Sequence, residues 1–167
     1  MGSRSSSDFE TESEKNMKQI ILHRISYSPG YGDMLGGGHG ITLRKGKEGN
    51  WNYICRDQED HTSPTVTTVY AVSEEAVKKL SEFILKKKII SLENRRDSDI
   101  FATDYSPWSW YIDYETTSFG KTKTGYCSIK EYKEYSTRDF ELLKELRERF
   151  SALKGEKLSE TIEPNER

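Results

Sequence analysis

Long apolar runs are missing from this chain. No stretch approaches the ~18 consecutive apolar residues of a membrane-spanning helix, which excludes a helical transmembrane protein. Cysteine is scarce. Cys55 and Cys127 are too few for a disulfide scaffold and lack the Cys-x-x-Cys spacing of structural zinc. An excess of one charge sign is missing too. The 26 Lys and Arg face 28 Asp and Glu, and the net charge of −2 argues against a dedicated nucleic-acid binder. Leu, Ile, Val and Phe together make up just under a fifth of the chain. A fraction that low signals disorder only beside a large net charge. Ten Tyr and three Trp supply the remaining core-forming surface.

That surface is concentrated. Every Tyr and every Trp falls between Met17 and Leu153, the expected extent of a single domain. A domain of this size buries roughly two-thirds of its unfolded surface, enough for one core. Residues 1–16 carry one large apolar residue, Phe9, and read as a disordered leader or tether. Residues 154–167, punctuated by Gly155 and Pro164, read as a flexible tail. The leader lacks the apolar centre of a signal peptide. Two readings stay open: a tether behind an export signal no longer attached, at the cell envelope, and a cytoplasmic chain starting near Met17.

Between these ends the alternation of apolar residues predicts six strands. The first, Lys18 to Tyr27, places Ile21, Ile25 and Tyr27 on one face and Ile20 and Leu22 on the other. Ser28-Pro29-Gly30 ends it, since proline cannot donate to a ladder. A loop with six glycines between Gly30 and Gly40 follows. A second strand around Ile41 and Leu43 and a third, Asn50 to Asp57, form a hairpin across Gly46–Gly49. A fourth strand, Thr65 to Val72, is rich in β-branched residues. A fifth runs from Trp108 to Thr116, with Trp108, Trp110, Ile112 and Tyr114 sharing a face. A sixth, Lys121 to Lys130, places Gly125, Cys127 and Ile129 together.

Ser73 followed by Glu74 and Glu75 predicts a helix start, because the hydroxyl caps an early amide and the acids suit the positive end of the dipole. Val77, Leu80, Phe83 and Ile84 form its apolar stripe. Ile89 to Leu92 then pack the chain back onto the sheet. A second helix starts at Ser136 or Thr137, with Phe140, Leu143, Leu146, Phe150 and Leu153 inward. The order ββββ-α-ββ-α predicts an α+β fold: a single antiparallel sheet with both helices on one face. The other face is left half-solvated, polar and aromatic.

This order, with Ile25-Ser26-Tyr27-Ser28-Pro29-Gly30 and Gly36-Gly37-Gly38, Val72-Ser73-Glu74-Glu75, and Asp99-Ile100-Phe101-Ala102-Thr103-Asp104, resembles a class of small bacterial domains of unknown function. The likeness spans nearly all of residues 17–153. It implies the same fold and a bacterial origin, and a domain either free-standing or tethered behind a lipoprotein cysteine. It implies no active site.

Candidate chemistry is sparse. Gly36, Gly37 and Gly38 free backbone amides that could cradle a phosphate, but the loop leads into a strand rather than a helix and lacks the P-loop lysine. Asp33 and His39 in the same loop could pair as a general base, a carboxylate orienting an imidazole, although no nucleophile motif accompanies them. His23, His39 and His61 have no ligand spacing. Asp97, Asp99 and Asp104 lack the glycine and glutamate of a calcium loop, so no metal or other cofactor is expected. Cys55 and Cys127 read as free buried thiols unless their strands approach within ~7 Å. The run Lys78, Lys79, Lys86, Lys87, Lys88, Arg95 and Arg96 is interleaved with acids and reads as a solvated helix face.

The densest aromatic cluster is Tyr105, Trp108, Trp110, Tyr111 and Tyr114. Alternation cannot turn all of them inward, and aromatics favour recognition surfaces. The expectation is therefore a monomeric, non-catalytic interaction module. It would bind a protein or envelope polymer through Tyr105, Tyr111, Asp113 and the glycines 36–38. The alternative is a small hydrolase or transferase using Asp33 and His39.

Overall fold

The computed structural model describes residues 19–30, 37–99 and 107–164. Four strands come first: β1 (Gln19–Ser28), β2 (Gly38–Lys45), β3 (Trp51–Gln58) and β4 (Thr65–Val72). Helix α1 (Glu74–Lys86) and a 3₁₀ segment (Ile89–Asn94) follow. Then come β5 (Ser109–Ser118), β6 (Lys121–Lys130), α2 (Thr137–Ser151) and β7 (Lys157–Glu163). The strands form one antiparallel sheet in the order β6-β5-β1-β2-β3-β4-β7. This is the expected α+β architecture with a single sheet, widened by one strand.

Helix α1 begins where the capping signal lies: the Ala76 amide donates to Ser73 Oγ at 3.1 Å. It ends because Lys88 turns to a left-handed φ of 55°. Val77, Leu80, Phe83 and Ile84 are buried, as their spacing requires. In α2, Leu143, Leu146 and Phe150 are buried, and Leu153 just beyond it, but Phe140 is not. Phe140 leans edge-on against Tyr135 at the surface (5.5 Å between centroids). The helices share one core with the inner sheet face, where Phe150 packs on Tyr53 and Trp110, each at 5.2 Å.

Strand β1 departs from simple alternation. Its pairing with β5 slips between Leu22 and Arg24, a β-bulge at His23. The extra residue reverses parity, so Ile20 and Leu22 join Ile25 and Tyr27 in the core and Ile21 is left 40% exposed. The sequence expectation placed Ile21 with Ile25 and Tyr27, and the bulge corrects it.

The segment read as a flexible tail is the seventh strand. The Gly155 amide donates to Ala71 O at 2.8 Å, and the Ala71 amide donates to Glu156 O at 2.8 Å. A side chain at position 155 would put its Cβ 2.6 Å from the Ala71 carbonyl oxygen, so this close approach needs glycine. Pairing then runs from Tyr70↔Lys157 to Thr65↔Glu163.

Candidate functional site on the open face of the sheet

The register lines up the outer face in lateral rows. One row runs Ser128, Tyr111, Ser26, Thr42, Ile54, Val69, Ser159 across all seven strands. The next holds Tyr126, Asp113, Arg24, Arg44, Asn52 and Ala71. Both helices lie on the other face, so these side chains have no second layer over them among the described residues.

Tyr111 is the centre of this face. It is partly exposed, whereas its neighbour Trp110 is 2% exposed in the core. Its ring stacks on Tyr126, with centroids 6.1 Å apart and planes 22° off parallel. Tyr126 is 54% exposed. Desolvation against the face, with Tyr111 and Asp113 beside it, pushes its phenol upward. Sequence reasoning missed Tyr126, which sits in a polar strand with no aromatic neighbour. Its signal was the hairpin register across Phe119-Gly120, which sets it opposite Asp113.

Asp113 accepts from Arg24 Nε at 3.1 Å, and Glu115 faces His23 Nε2 at 3.2 Å. Both carboxylates of β5 are therefore matched. Arg44 and Arg56 are not, having no carboxylate in ion-pair range among the described residues. Arg44 also stands directly opposite Arg24, a like-charge pair that strand neighbours ordinarily avoid.

At the end of the sheet reached by the glycine-rich connection is a shallow cleft of about 360 Å³. It is lined by Gly37, Gly38, His39, Thr42, Arg56 and Asp57, among others. Gly37 sits at φ +84°, against the Gln58 carbonyl oxygen at 2.6 Å from where a Cβ would be. His39 Nδ1 lies 2.7 Å from Asp57 Oδ1. The described carboxylate beside this imidazole is its cross-strand mate in β3. Asp33, Gly36 and Tyr105 lie outside the described residues. Lys45 stands opposite Trp51, so the loop takes in Asn50 as well; a register written outward from Gly46–Gly49 alone would set His39 opposite Arg56 instead of Asp57.

The other candidates fall apart spatially. Cys55 on β3 and Cys127 on β6 are four strands apart, about 19 Å at ordinary strand spacing, and both are free thiols. Burial, with Asp57 nearby, pushes the Cys55 thiol up, so it is no ready nucleophile. Asp97 is held by Lys133 Nζ at 2.7 Å. No three His, Cys, Asp or Glu side chains group as a metal site among the described residues. Arg95, read as part of a basic surface run, instead reaches inward to Asp139 at 2.8 Å. No helix among the described residues is long and apolar enough to cross a membrane. Comparison with protein-family models, curated proteins and solved structures finds no match to this chain.

Proposed function

We propose that this domain is a non-catalytic interaction module that engages a protein or envelope polymer through the open face of its sheet. The observation carrying this reading is the Tyr111–Tyr126 stack on that face; Arg44, three strands along the row of Tyr126, meets no carboxylate among the described residues. The rings offer contact area at small entropic cost, and the arginine favours an acidic group on the partner. Ile21 on β1 and the adjacent Ile54 and Val69 on β3 and β4 add apolar area to the same face. The test is capture of the partner followed by Tyr111→Ala. Affinity should fall at least tenfold, or ~1.4 kcal/mol, with no drop in melting temperature. Unchanged affinity in a folded variant would move the site off this face.

One observation favours a second reading, a small hydrolase or transferase. The Asp57–His39 pair has the spacing of a carboxylate orienting a general base. No serine or cysteine with a recognisable nucleophile motif accompanies it, which is why it ranks second. A broad hydrolase and transferase screen should show no turnover that disappears in His39→Ala. Turnover lost in that variant would reverse the order of the two readings.

A further inference from the structure

We propose that β7 pairs antiparallel with β7 of a second copy of this chain, joining two sheets across a two-fold axis. The two edges of the sheet are treated differently. The β6 edge is covered over its second half: the 3₁₀ segment packs against it, the Ser128 amide donates to Glu93 Oε1 at 3.3 Å, and Cys127 lies 3.7 Å from Ile90 O, while residues 121–124 are exposed. No described residue covers the β7 edge along its length. All seven of its residues are exposed, with Leu158 at 55% and Ile162 at 62%. A bare strand carrying apolar side chains is a template for another strand.

The sequence of β7 identifies the second strand. Lys157-Leu158-Ser159-Glu160-Thr161-Ile162-Glu163 is self-complementary about Glu160. Antiparallel pairing centred there sets Leu158 opposite Ile162 and Ser159 opposite Thr161, each twice, while a β-bulge between Lys157 and Ser159 turns Lys157 out of this register. Shifting by two residues either way puts Leu158 or Ile162 opposite Glu160. The backbone agrees with this register. Ala71 bonds toward β7, so by alternation Val69, Thr67 and Thr65 do as well. Their mates Ser159, Thr161 and Glu163 therefore point their amides inward, while Glu160 and Ile162 point theirs outward. Only an even-centred pairing brings outward groups together. Leu158 and Ile162 of both copies then share the helix side of the joined sheet. The one unfavourable pair, Glu160 with its mate, is offset because each Glu160 already accepts from its own Lys157 at 2.9 Å. Pro164 ends the ladder where the complementarity ends.

This is proposed in place of the monomer expected from the sequence and is independent of the open face. Sedimentation equilibrium should show the mass rising from 19.4 kDa toward twice that value as concentration increases. Ile162→Lys should weaken dimerisation at least tenfold, and Glu160→Gln should strengthen it. Both positions are exposed, so the fold should survive, and unchanged circular dichroism checks this. In a Cys55→Ser background, Glu160→Cys should oxidise to a covalent dimer, since directly opposed residues lie within disulfide reach. Phe119→Cys, exposed at a distant turn, should not. A single 19.4 kDa species up to about 1 mM, the weakest affinity worth assigning, would overturn the proposal. So would a dimer indifferent to Ile162→Lys, or one in which Glu160→Cys cross-links no faster than Phe119→Cys.

Discussion

Asp139→Ala should destabilise the domain by about 3 kcal/mol, although Asp139 touches no candidate binding residue. Its side chain is 93% buried and accepts three hydrogen bonds. Arg95 donates through Nε at 2.8 Å and Nη2 at 3.1 Å, and the Ser136 amide donates at 3.0 Å. The reciprocal bond, Asp139 amide to Ser136 Oγ at 3.0 Å, completes a capping box. One carboxylate therefore starts α2 and pins it to the end of the 3₁₀ segment that covers the β6 edge. Removing one partner of a buried pair costs about 3–5 kcal/mol, and losing half a capping box about 1. Arg95 is a third exposed and regains water, which places the total near the lower bound. For a domain of this length that is a fall in melting temperature of about 6–12 °C. Urea denaturation with an unchanged slope gives the free energy directly. A double-mutant cycle with Arg95→Ala should show coupling of about 1.5–3 kcal/mol. A loss below about 0.5 kcal/mol, or strict additivity with Arg95→Ala, would refute the reasoning.

The same carboxylate sets a dependence on acid. Burial opposes ionisation of Asp139, but the Arg95 guanidinium and the Ser136 amide outweigh it and hold the carboxyl below its ordinary 3.8. The folded form therefore binds this proton less readily than the unfolded chain. Its stabilisation is fully present above the unfolded value of ~3.9 and is lost as pH falls through the folded value. The stability gap between wild type and Asp139→Asn should narrow between about pH 5 and pH 2. Asp60 and Asp97, also lowered by their partners, are present in both proteins and cancel in that difference. A gap that stays constant with pH would show that the charge of Asp139 is not what holds α2.

Two further predictions test the packing. Leu80→Ala and Leu143→Ala, at 2% and 7% exposure on the helix faces turned to the sheet, should each cost ~2–5 kcal/mol by denaturant titration. The bulge at His23 predicts that Ile20→Ala costs ~2–4 kcal/mol and Ile21→Ala under ~1. The reverse ranking would restore simple alternation.

What was legible in the sequence follows from which interactions are local. Ser73 and Ser136 cap amides three residues away, so both helix starts could be read from spacing. Strands Thr65–Val72 and Lys121–Lys130 were bounded by turn residues and matched to the residue. The facing of β1 was not legible, because one extra residue at His23 is decided by the partner strand β5. Strand β7 was invisible for a different reason: it buries nothing, so its side chains carry no alternation to detect. Phe140 has helical spacing for the core, but the aromatic Tyr135 just before α2 holds it at the surface instead. For the candidate site, Tyr111 could be placed on the open face by parity, whereas Tyr126 and Asp57 depended on cross-strand register.

The open face is a remainder that two helices cannot cover. Seven strands at ~4.8 Å spacing span about 29 Å, while two helices of ~10 Å diameter shield about 20 Å of one side. The apolar residues are spent there: Ile25, Leu43, Tyr53, Trp110, Ile112 and Ile129 all turn toward α1 and α2. What is left for the outer rows is mostly Ser, Thr, Asn, Asp, Arg and the stacked tyrosines, with Ile54 and Val69 as one adjacent apolar pair. Most positions in these rows carry hydrogen-bonding side chains. The face still carries an unmet charge, since Asp113 answers Arg24 and nothing in the row answers Arg44. A carboxylate or other anion brought to that point relieves the repulsion between the two arginines as well as forming its own pair. On the proposed reading of this face, a neutral surface of the same shape gains only the tyrosine contact, so in titrations of a captured partner Arg44→Ala should narrow any preference for acidic over neutral variants of that partner, with an unchanged melting temperature.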